Sequence, residues 1–340
     1  MKDLSNYSLL SHNTFGIDAQ CKRFLEYASE EEAVQVASIL AQEQSPFLVI
    51  GGGSNLLLTA DYPGTVVHSA IKGIQQSFTD HHAGQVLVRV GSGEIWDETV
   101  EYFLRHGWYG AENLSLIPGE VGAAAVQNIG AYGAEASSIV YEVEAVEIAT
   151  GRKVVIPAGE CHYGYRQSRF KQQWKNKYLI THVAFRLSER FSPHTDYGNI
   201  QAELARRGIT EPTPAELRQV IIDIRQAKLP DTKVEGNAGS FFMNPVVAID
   251  KFHQLLAFYP QMPHYPVDDA HEKIPAGWLI DQCGWRGRSL GRAGVHDKQA
   301  LVLVNRGGAT GHDIVALCQA VRRDVLQKFG IEIQPEVNII

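Results

Sequence analysis

A hairpin pattern in the middle of the chain constrains the fold more than any other feature. Residues 141–156 read YEVEAVEIATGRKVVI, in which two runs of alternating apolar and polar residues flank Thr150 and Gly151. This pattern predicts two neighbouring antiparallel strands joined by a tight turn. Helical patterns occur on both sides of the hairpin, so an α+β fold fits better than a parallel sheet of regularly alternating strands and helices.

Three helical patterns have recognisable ends. The first covers residues 29–44 and begins at Ser29, a predicted N-cap, and the second covers residues 95–107. The third begins with a Thr-Pro pair at residue 213 and stops before the proline at residue 230. A chain of 340 residues normally forms two or three domains. We therefore predict a domain boundary at residues 228–230.

Composition limits the partners and the location. The formal net charge of −7 argues against a nucleic-acid binder, although residues 165–177 carry five cations and no anion and could meet an anionic ligand. The four cysteines are far apart, which argues against a zinc ribbon or a disulfide scaffold. There is no apolar core of signal-peptide length and no apolar run of ~18 residues. A cytoplasmic protein that binds neither nucleic acid nor membrane is expected.

Two glycine-containing segments are candidates for ligand contact. The first is GGGSN at residues 51–55, which follows an apolar strand pattern and leaves consecutive backbone N–H groups accessible. Such a run suits a pyrophosphate. It does not match the dinucleotide fingerprint G-x-G-x-x-G, because Leu56 stands at the last glycine position, and it lacks the Gly-Lys of a P-loop. From these residues alone, a phosphate cradle and a simple tight turn are equally supported.

The second segment, residues 117–133, reads IPGEVGAAAVQNIGAYG and carries a single charge, at Glu120. Small side chains allow a ligand to approach the backbone closely, and Gln127, Asn128 and Tyr132 can direct hydrogen bonds to it. The alternative is a close-packed turn inside the core. Because Gln and Asn are poor core residues, ligand contact is favoured.

Three polar residues are candidates for chemistry. Ser240 lies in GNAGSFFMNP (residues 236–245), Arg166 offers a fork that suits a carboxylate or phosphate, and Glu336 interrupts an apolar C-terminal strand pattern. Each has a plain alternative: a capping serine, a surface ion pair and an edge position. The absence of a GxSxG elbow and of an HExxH pair disfavours serine-hydrolase and metal chemistry.

Eight short segments, spread over almost the whole chain, carry a resemblance to a known family. They are NTFGI, GGGSNLL, PGEVGAAAVQNIGAYG, YGYRQSRFK, KLPD, GNAGSFFMNP, AGWLIDQCG and QPEV. In this order they resemble the UDP-N-acetylenolpyruvoylglucosamine reductase family (MurB) in its long, type I form. The resemblance implies a PCMH-type (vanillyl-alcohol-oxidase-like) FAD fold in two subdomains, residues 1–65 and 66–229. A C-terminal α+β substrate-binding domain, residues 230–330, follows, and a final strand, residues 331–340, is expected to return near the second subdomain.

The resemblance also implies non-covalent FAD as cofactor and NADPH as hydride donor. No His or Cys occurs between Gly110 and Glu160, which favours a dissociable flavin over a covalently linked one. The residues that match the family's FAD contacts are Gly51, Gly52, Gly53, Ser54, Asn55, Pro118, Gly119, Gly122, Gln127, Asn128, Gly130 and Tyr132.

The implied reaction reduces the enolpyruvyl ether of UDP-N-acetylglucosamine to UDP-N-acetylmuramate, a peptidoglycan precursor. By resemblance Ser240 donates a proton to an enolate-like species, Arg166 neutralises its carboxylate, and Glu336 stabilises it through a hydrogen bond that requires a raised pKa. A monomer is expected. The substrate contacts implied by the resemblance are Tyr197, Lys228, Asn244 and Gln299.

Two departures from the family pattern and two alternative functions stay open on the sequence alone. Ala125 stands where the family often has Pro, and Asn338 stands where it often has Arg, so any charge partnership of Glu336 is in question. One alternative is another PCMH-fold flavin oxidoreductase that acts on a sugar or alcohol with oxygen. The other is a non-catalytic nucleotide-sugar binding protein, which would need neither flavin nor Ser240.

Overall fold

Strands and helices are interspersed along the whole chain in the computed structural model, which describes residues 1–340. The strands are β1 (Lys2–Ser8), β2 (Gln20–Tyr27), β3 (Phe47–Ile50), β4 (Leu56–Leu57), β5 (Tyr62–Ser69), β6 (Ile74–Asp80), β7 (Gln85–Gly91), β8 (Gly130–Ala131), β9 (Ala134–Glu135), β10 (Val140–Glu147), β11 (Lys153–Pro157), β12 (Tyr178–Ser188), β13 (Gly236–Asn237), β14 (Val246–Ala248), β15 (Tyr265–Asp268), β16 (His271–Lys273), β17 (Ser289–Leu290), β18 (Ala293–Val295), β19 (Leu303–Asn305) and β20 (Asn338–Ile339). The helices are α1 (Glu30–Gln42), α2 (Trp96–Arg105), α3 (Val121–Gln127), α4 (Ile200–Arg206), α5 (Pro214–Lys228), α6 (Ile249–Phe258), α7 (Ala276–Gln282) and α8 (Gly311–Phe329). None of these helices combines the length and the apolar character that crossing a bilayer requires.

The chain divides into two units by its internal contacts. The first unit comprises Met1–Tyr7, Cys21–Gly52 and Pro63–Ala227, and the second comprises Ser8–Gln20, Gly53–Tyr62 and Lys228–Ile340. The chain therefore leaves the first unit three times: after Tyr7, inside the glycine run after Gly52, and at the end of α5.

Two sheets form the frame of the first unit. A five-stranded antiparallel sheet has the order β11-β10-β12-β7-β6, and the predicted hairpin is its β10–β11 pair, with Val146 opposite Lys153. A second sheet has the order β1-β2-β5-β3 and contains the parallel pair β3–β5. The antiparallel sheet and the interspersed helices confirm the α+β prediction.

Helices cover these sheets through apolar faces. The side chains of Trp96 and Phe103 on α2 pack with Phe185 on β12 in one buried cluster, which also includes α3. The N-cap predicted for α1 is confirmed, because the Ser29 hydroxyl accepts a hydrogen bond from the Glu32 N–H at 3.2 Å. Helices α4 and α5 form a separate cluster, whose buried members are Ile200, Leu204, Leu217, Val220, Ile221 and Ile224.

The second unit has smaller sheets packed with three helices. Its strands form the sheets β13-β19-β18-β17 and β14-β16-β15 and the parallel pair β4–β20. The long helix α8 begins with a capping box between Thr310 and Asp313 and ends at Gly330, whose φ of 64° requires glycine. Phe241 and Phe242 are fully buried in this unit, with ring centroids 5.2 Å apart.

Three features differ from the sequence-based expectations. Residues 121–127 form helix α3 instead of a loop, because three consecutive alanines favour a helix and the left-handed Asn128 ends it. The final strand is short and pairs with Leu56–Leu57, within residues 1–65 rather than 66–229. Helices α4 and α6 were not predicted, since neither has a strong capping signal.

Candidate active site

The glycine run after β3 is required by packing at two of its three positions. A Cβ on Gly53 would lie 1.9 Å from the His12 carbonyl oxygen, and the residue has a φ of 67°, so only glycine fits there. In the first unit, a Cβ on Gly51 would lie 2.9 Å from the Cβ of Ala123. At Gly52 a Cβ would meet nothing closer than 3.7 Å, so glycine is not forced by the protein itself. Since packing does not explain the glycine at position 52, the missing side chain there indicates room for a ligand.

Helix α3 and the turn after it contain residues that packing and internal hydrogen bonds require. A Cβ on Gly122 would lie 2.9 Å from the Cβ of Ser92, which makes Gly122 a close-packing residue. The buried Asn128 side chain donates to the Glu135 carboxylate at 2.8 Å and to the Gly164 carbonyl at 2.9 Å, and its Oδ1 accepts from the Ser137 N–H. Both amide hydrogens are therefore used within the protein. Asn128 ties the 128–135 turn to the segment that carries Arg166.

Left-handed backbone conformations concentrate around this region of the first unit. Leu116, Asn128, Tyr132 and Arg166 have φ values of 58°, 45°, 49° and 55°, which non-glycine residues seldom adopt. Such conformations cost free energy and cluster at functional sites when the surrounding structure holds them. Their occurrence here marks the region as a candidate site on grounds independent of the motifs.

Arg166 is held in place by the turn that precedes β9. Its Nη2 donates to the Gly130 carbonyl oxygen at 2.7 Å, and its own carbonyl oxygen accepts from Lys171 Nζ at 2.9 Å. A Cβ on Gly130 would lie 2.9 Å from Arg166 Nη1, so glycine at position 130 makes room for the guanidinium. The predicted FAD residue Gly130 and the predicted catalytic residue Arg166 are thus neighbours.

A second half-buried cation, Arg225 on α5, lies near Arg166 and Tyr132 and was not predicted from the sequence. Burial lowers the pKa of Arg225, and the positive charge of Arg166 lowers it further, whereas Tyr132 and Asp97 oppose these effects. Its Nε atom is buried and has no hydrogen-bond partner. Arg218 and Arg225 are seven residues apart, on the helix face that carries the apolar stripe of α5. An arginine on the apolar face of a predicted helix is the sequence signal that could have identified Arg225.

Tyr132 and Tyr197 complete this part of the first unit. Burial raises the pKa of the Tyr132 hydroxyl, and the charge of Arg225 opposes this. A Cβ on Gly133 would lie 3.2 Å from the Cβ of Tyr197, and the Tyr132 ring lies 3.7 Å from the corresponding position at Gly198. The structure therefore brings the predicted substrate residue Tyr197 against the turn that holds Tyr132.

In the second unit, backbone hydrogen bonds place Ser240 and Glu336 on adjacent segments. The Glu336 N–H donates to the Phe241 carbonyl oxygen at 2.8 Å, and Phe242 forms an antiparallel bridge with Pro335. Ser240 is exposed, whereas both phenylalanine rings point into the core of the unit. The two rings therefore stabilise the unit, and the Ser240 hydroxyl lies outside its core.

The remaining predicted residues of the second unit lie close to these segments. The Phe241 N–H donates to the Leu301 carbonyl oxygen at 2.8 Å, two residues beyond Gln299. Asn244 Oδ1 accepts from the N–H of Ala276, and Gln299 Oε1 lies 3.2 Å from the position of a Cβ on Gly277. Both amides therefore lie at the beginning of α7. Lys228 is exposed at the end of α5, and Arg166 belongs to the other unit.

Asn55 connects the glycine run to the Glu336 segment. Its side chain donates to the Glu336 carbonyl oxygen at 3.4 Å, and its carbonyl oxygen accepts from both the N–H and the side chain of Asn338, at 3.2 and 3.0 Å. Asn338 therefore replaces a cation of the family pattern with an uncharged tether.

A cluster with the spacing of metal ligands, Glu30, Glu144 and His182, is an ion-pair network. The guanidinium Nη2 of Arg89 lies 2.6 Å from carboxylate oxygens of both glutamates and 2.8 Å from His182 Nδ1. The cation in this cluster is thus supplied by the protein.

Comparison with known proteins decides the family. Residues 22–156 match a family model described as an FAD binding domain, and residues 230–340 match the C-terminal domain of UDP-N-acetylenolpyruvoylglucosamine reductase. A reductase of that name from Bacteroides fragilis is 55% identical over 336 residues, which cover 98% of this chain and 99% of that protein. Another from Chromobacterium violaceum is 46% identical over 340 residues, covering 99% and 98%.

The chain belongs to the UDP-N-acetylenolpyruvoylglucosamine reductase family. It is an FAD-containing oxidoreductase that uses NADPH to reduce UDP-N-acetylglucosamine enolpyruvate in peptidoglycan precursor synthesis. A crystal structure of the reductase from Thermus caldophilus matches with a TM-score of 0.66 at 22% identity, covering 99% of this chain and 98% of that one. The predicted fold, a PCMH-type FAD-binding region followed by a C-terminal α+β domain, is confirmed. Family membership therefore rules out the two alternative functions, another PCMH-fold flavin oxidoreductase and a non-catalytic nucleotide-sugar binding protein.

Proposed function

We propose that Arg166, Ser240 and Glu336 carry out the reduction in three distinct roles. The observation that carries the proposal is the pair of guanidinium groups in the first unit, Arg166 tied to Gly130 and Arg225 buried with an unpartnered Nε. Two cations in a half-buried region favour an anionic ligand, because the ligand charge offsets their mutual repulsion and their lost hydration. The carboxylate of the enolpyruvyl group is an anion of the right kind. Arg166 and Arg225 would hold it while negative charge grows on it.

The glycine run and the α3 region fit FAD. Packing within the protein does not require glycine at position 52. Consecutive backbone N–H groups from Gly51 to Asn55 can hold a pyrophosphate. Pro118, Gly119, Gln127, Gly130 and Tyr132 are the proposed neighbours of the rest of the cofactor. Gly122 and Asn128 are proposed to support the residues that contact FAD. Gly122 packs against Ser92, and the Asn128 side chain is occupied by hydrogen bonds within the protein. Bound FAD supplies the redox chemistry, passing reducing equivalents from NADPH to the substrate double bond.

Ser240 is proposed as the proton donor. Reduction of an enolpyruvyl double bond leaves an enolate-like species, a strong base that can take a proton from a weak acid such as an alcohol. Two backbone hydrogen bonds next to Ser240, from Phe241 and from Glu336, fix the main chain that carries the hydroxyl. Glu336, half-buried on the adjacent segment, is proposed to hydrogen-bond the enolate, which requires its protonated form.

The UDP-sugar is proposed to contact Tyr197, Lys228, Asn244 and Gln299. Lys228 is an exposed cation suited to a phosphate, and the two amides at the beginning of α7 can read a sugar or a uracil through directed hydrogen bonds. We also propose a cytoplasmic monomer. Four free cysteines accord with a reducing compartment, and UDP-sugars and NADPH are metabolites of the cytoplasm.

The proton-donor role is tested by Ser240→Ala in stopped-flow measurements of the two half-reactions. Reduction of the bound FAD by NADPH should keep its wild-type rate, and its reoxidation by the enolpyruvyl substrate should slow by about 10²–10⁴-fold. Ser5→Ala, at an exposed position of β1, is the matched control and should leave both rates unchanged. Equal slowing of both half-reactions by Ser240→Ala would contradict the role.

A further inference from the structure

A histidine between two glutamates lies in the first unit, next to the glycine run. His68 on β5 is 8% exposed; its Nδ1 lies 2.9 Å from Glu26 Oε2, and its Nε2 lies 3.0 Å from Glu120 Oε1. Behind Glu26, Lys2 Nζ lies 2.6 Å from the other carboxylate oxygen. A neutral imidazole has one N–H and can donate to only one of two carboxylates, whereas an imidazolium donates to both. The geometry therefore suits the charged form of His68.

The charge of this histidine is supported by its neighbours. Burial by itself would lower the pKa of His68, but the hydrogen bonds and charges of Glu120 and Glu26 outweigh it, so the pKa lies above its ordinary value. The ring of Phe24 stacks near the imidazole at 6.4 Å between centroids and contributes no charge. The Tyr27 hydroxyl, which donates to the Ile180 carbonyl oxygen, is a further titratable group near Glu120.

Glu120 faces the glycine run with its carboxylate. One of its oxygens, Oε2, lies 3.3 Å from the position of a Cβ on Gly51, and the other, Oε1, lies 3.7 Å from that of a Cβ on Gly52. The carboxylate thus lies beside the backbone proposed to hold the FAD pyrophosphate. An unpaired carboxylate at this distance would repel a pyrophosphate in a half-buried region, where charges are weakly screened.

We propose that His68 is a positioning residue for the cofactor: its imidazolium holds Glu120 in place beside Gly51 and Gly52 and neutralises it, so that FAD affinity depends on protonation of His68. The inference rests on the proposed placement of the pyrophosphate at residues 51–55. It also assigns a use to the one charged residue of the 117–133 segment. Glu26, itself paired with Lys2, keeps His68 protonated and orients the ring toward Glu120.

The sign of the pH dependence follows from the raised pKa. Below the pKa of His68 the Glu120 charge is neutralised, and FAD binding is strong. As the pH rises through that pKa, the imidazole loses its proton and its bond to one carboxylate, and Glu120 is left as a bare anion next to the pyrophosphate. A one-unit difference in the pKa of His68 between the FAD-bound and FAD-free protein corresponds to about a tenfold change in affinity.

The test measures FAD release from diluted holoenzyme by the rise in flavin fluorescence, between about pH 6 and pH 9, which brackets an ordinary and a raised histidine pKa. Wild type should release FAD about tenfold more readily at the upper end. His68→Gln should show this weak binding at every pH, because the amide keeps hydrogen bonding but carries no charge. Glu120→Gln should bind about tenfold more tightly than wild type at about pH 9. The double variant should bind tightly throughout.

Rescue in the double variant separates neutralisation from a merely structural role. If His68→Gln weakens FAD binding equally with and without Glu120, the proposal is overturned. The same holds if wild type shows no more pH dependence than His68→Gln. Should His68→Gln fail to fold, the comparison of Glu120→Gln with wild type at about pH 9 still decides, since equal affinities would contradict the proposal.

A further variant separates this inference from the proposed cofactor position. In Gly52→Ala the added Cβ makes ordinary contacts with the protein at 3.7 Å, so the fold should persist, but the gap beside the backbone is filled. Gly52→Ala could lose FAD affinity while the double variant, His68→Gln with Glu120→Gln, shows no rescue. That result would refute the role of His68 and still support the pyrophosphate position. Wild-type affinity in Gly52→Ala and in both single variants would refute the position and the inference together.

Discussion

In the first unit the Nε atom of the half-buried Arg225 has no partner and Arg166 has a φ of 55°, whereas in the second unit Ser240 is exposed and Glu336 lies on an ordinary antiparallel segment. The first unit holds like charges close together and a strained backbone. The second holds the Ser240 and Glu336 segments by a hydrogen bond from the Glu336 N–H to the Phe241 carbonyl oxygen and by one from the Asn55 side chain to the Glu336 carbonyl oxygen. Charge is concentrated where the substrate carboxylate and the pyrophosphate are proposed to bind, and uncharged donors are concentrated where proton transfer is proposed.

This difference has a physical reason. Partly buried cations contribute little to the stability of the folded protein, but they bind an anionic ligand strongly. A site that binds anions is therefore less stable than an uncharged one. A proton donor that acts on a strong base needs position more than a shifted pKa, and backbone hydrogen bonds give position at little electrostatic cost. Removal of the Arg225 charge in the first unit should therefore weaken substrate binding without loss of stability, and removal of the Ser240 hydroxyl in the second should slow proton transfer alone.

Among substitutions in the first unit, the largest effect is expected from Arg166→Lys. Lysine keeps the charge but loses the planar fork and the hydrogen bond to Gly130, so kcat/KM for the enolpyruvyl substrate should fall about 10²–10³-fold. Reduction of FAD by NADPH should keep its rate in rapid-mixing experiments.

The control for Arg166→Lys is Arg169→Lys, in the same segment. The Arg169 guanidinium lies 4.8 Å from the centroid of the Trp174 ring, and its substitution should change kcat/KM by less than about threefold. A comparable loss in both variants would mean that the segment is held together by its cations generally, and the contrast between the two units would lose its main support.

Arg225→Met should weaken substrate binding about 10–100-fold while leaving the fold as stable as before or more stable by about 1 kcal/mol. Methionine has similar length and needs no hydration, so the change removes the desolvation cost of a partly buried cation whose Nε has no hydrogen-bond partner, and this outweighs the lost attraction to Asp97. Substrate affinity is read from the change in the flavin spectrum, and the free energy of unfolding from urea denaturation.

Arg218→Met, one helical repeat earlier, should show the opposite pattern. Arg218 pairs with Asp97 at 2.7 and 3.0 Å, so its loss leaves this half-buried carboxylate without a cation, with the Leu116 N–H as a remaining donor. The change should cost about 2 kcal/mol of stability with substrate affinity unchanged. Loss of stability in both variants would show that Arg225 is structural and that its charge was misassigned to binding.

Much of the fold could be predicted because local signals and tertiary contacts agree. The β10–β11 hairpin, the Ser29 cap of α1 and helices α2, α5 and α7 follow from alternation, capping and proline positions. Helix α3 was missed because its glycine and alanine content also suits a loop. The short helices α4 and α6 were missed because burial against the rest of the fold, rather than local capping, stabilises them.

The candidate site could be predicted only where a motif carries it. In the second unit Ser240 lies next to the Glu336 segment, and in the first unit Arg166 contacts Gly130; motifs carry all four of these residues. Arg225 and His68 belong to no motif, since their importance comes from side chains distant in sequence, such as Tyr132 for Arg225 and Glu120 for His68. The sequence also does not show which way the two phenylalanine rings after Ser240 point.

The smallest effect is expected from Asn338→Arg, which restores the cation of the family pattern to the second unit. The variant loses the hydrogen bond from the Asn338 side chain to the Asn55 carbonyl oxygen, and its stability should fall by about 1 kcal/mol. Asn338 is exposed, so the added charge is screened by solvent, and kcat should change by less than about threefold.

Asn338→Lys is the matched control, because lysine adds the charge without the planar guanidinium. A rise in kcat above about tenfold in Asn338→Arg alone would mean that Glu336 depends on a guanidinium partner, because solvent-screened charge alone is worth less than that. The second unit would then work by the same electrostatic means as the first.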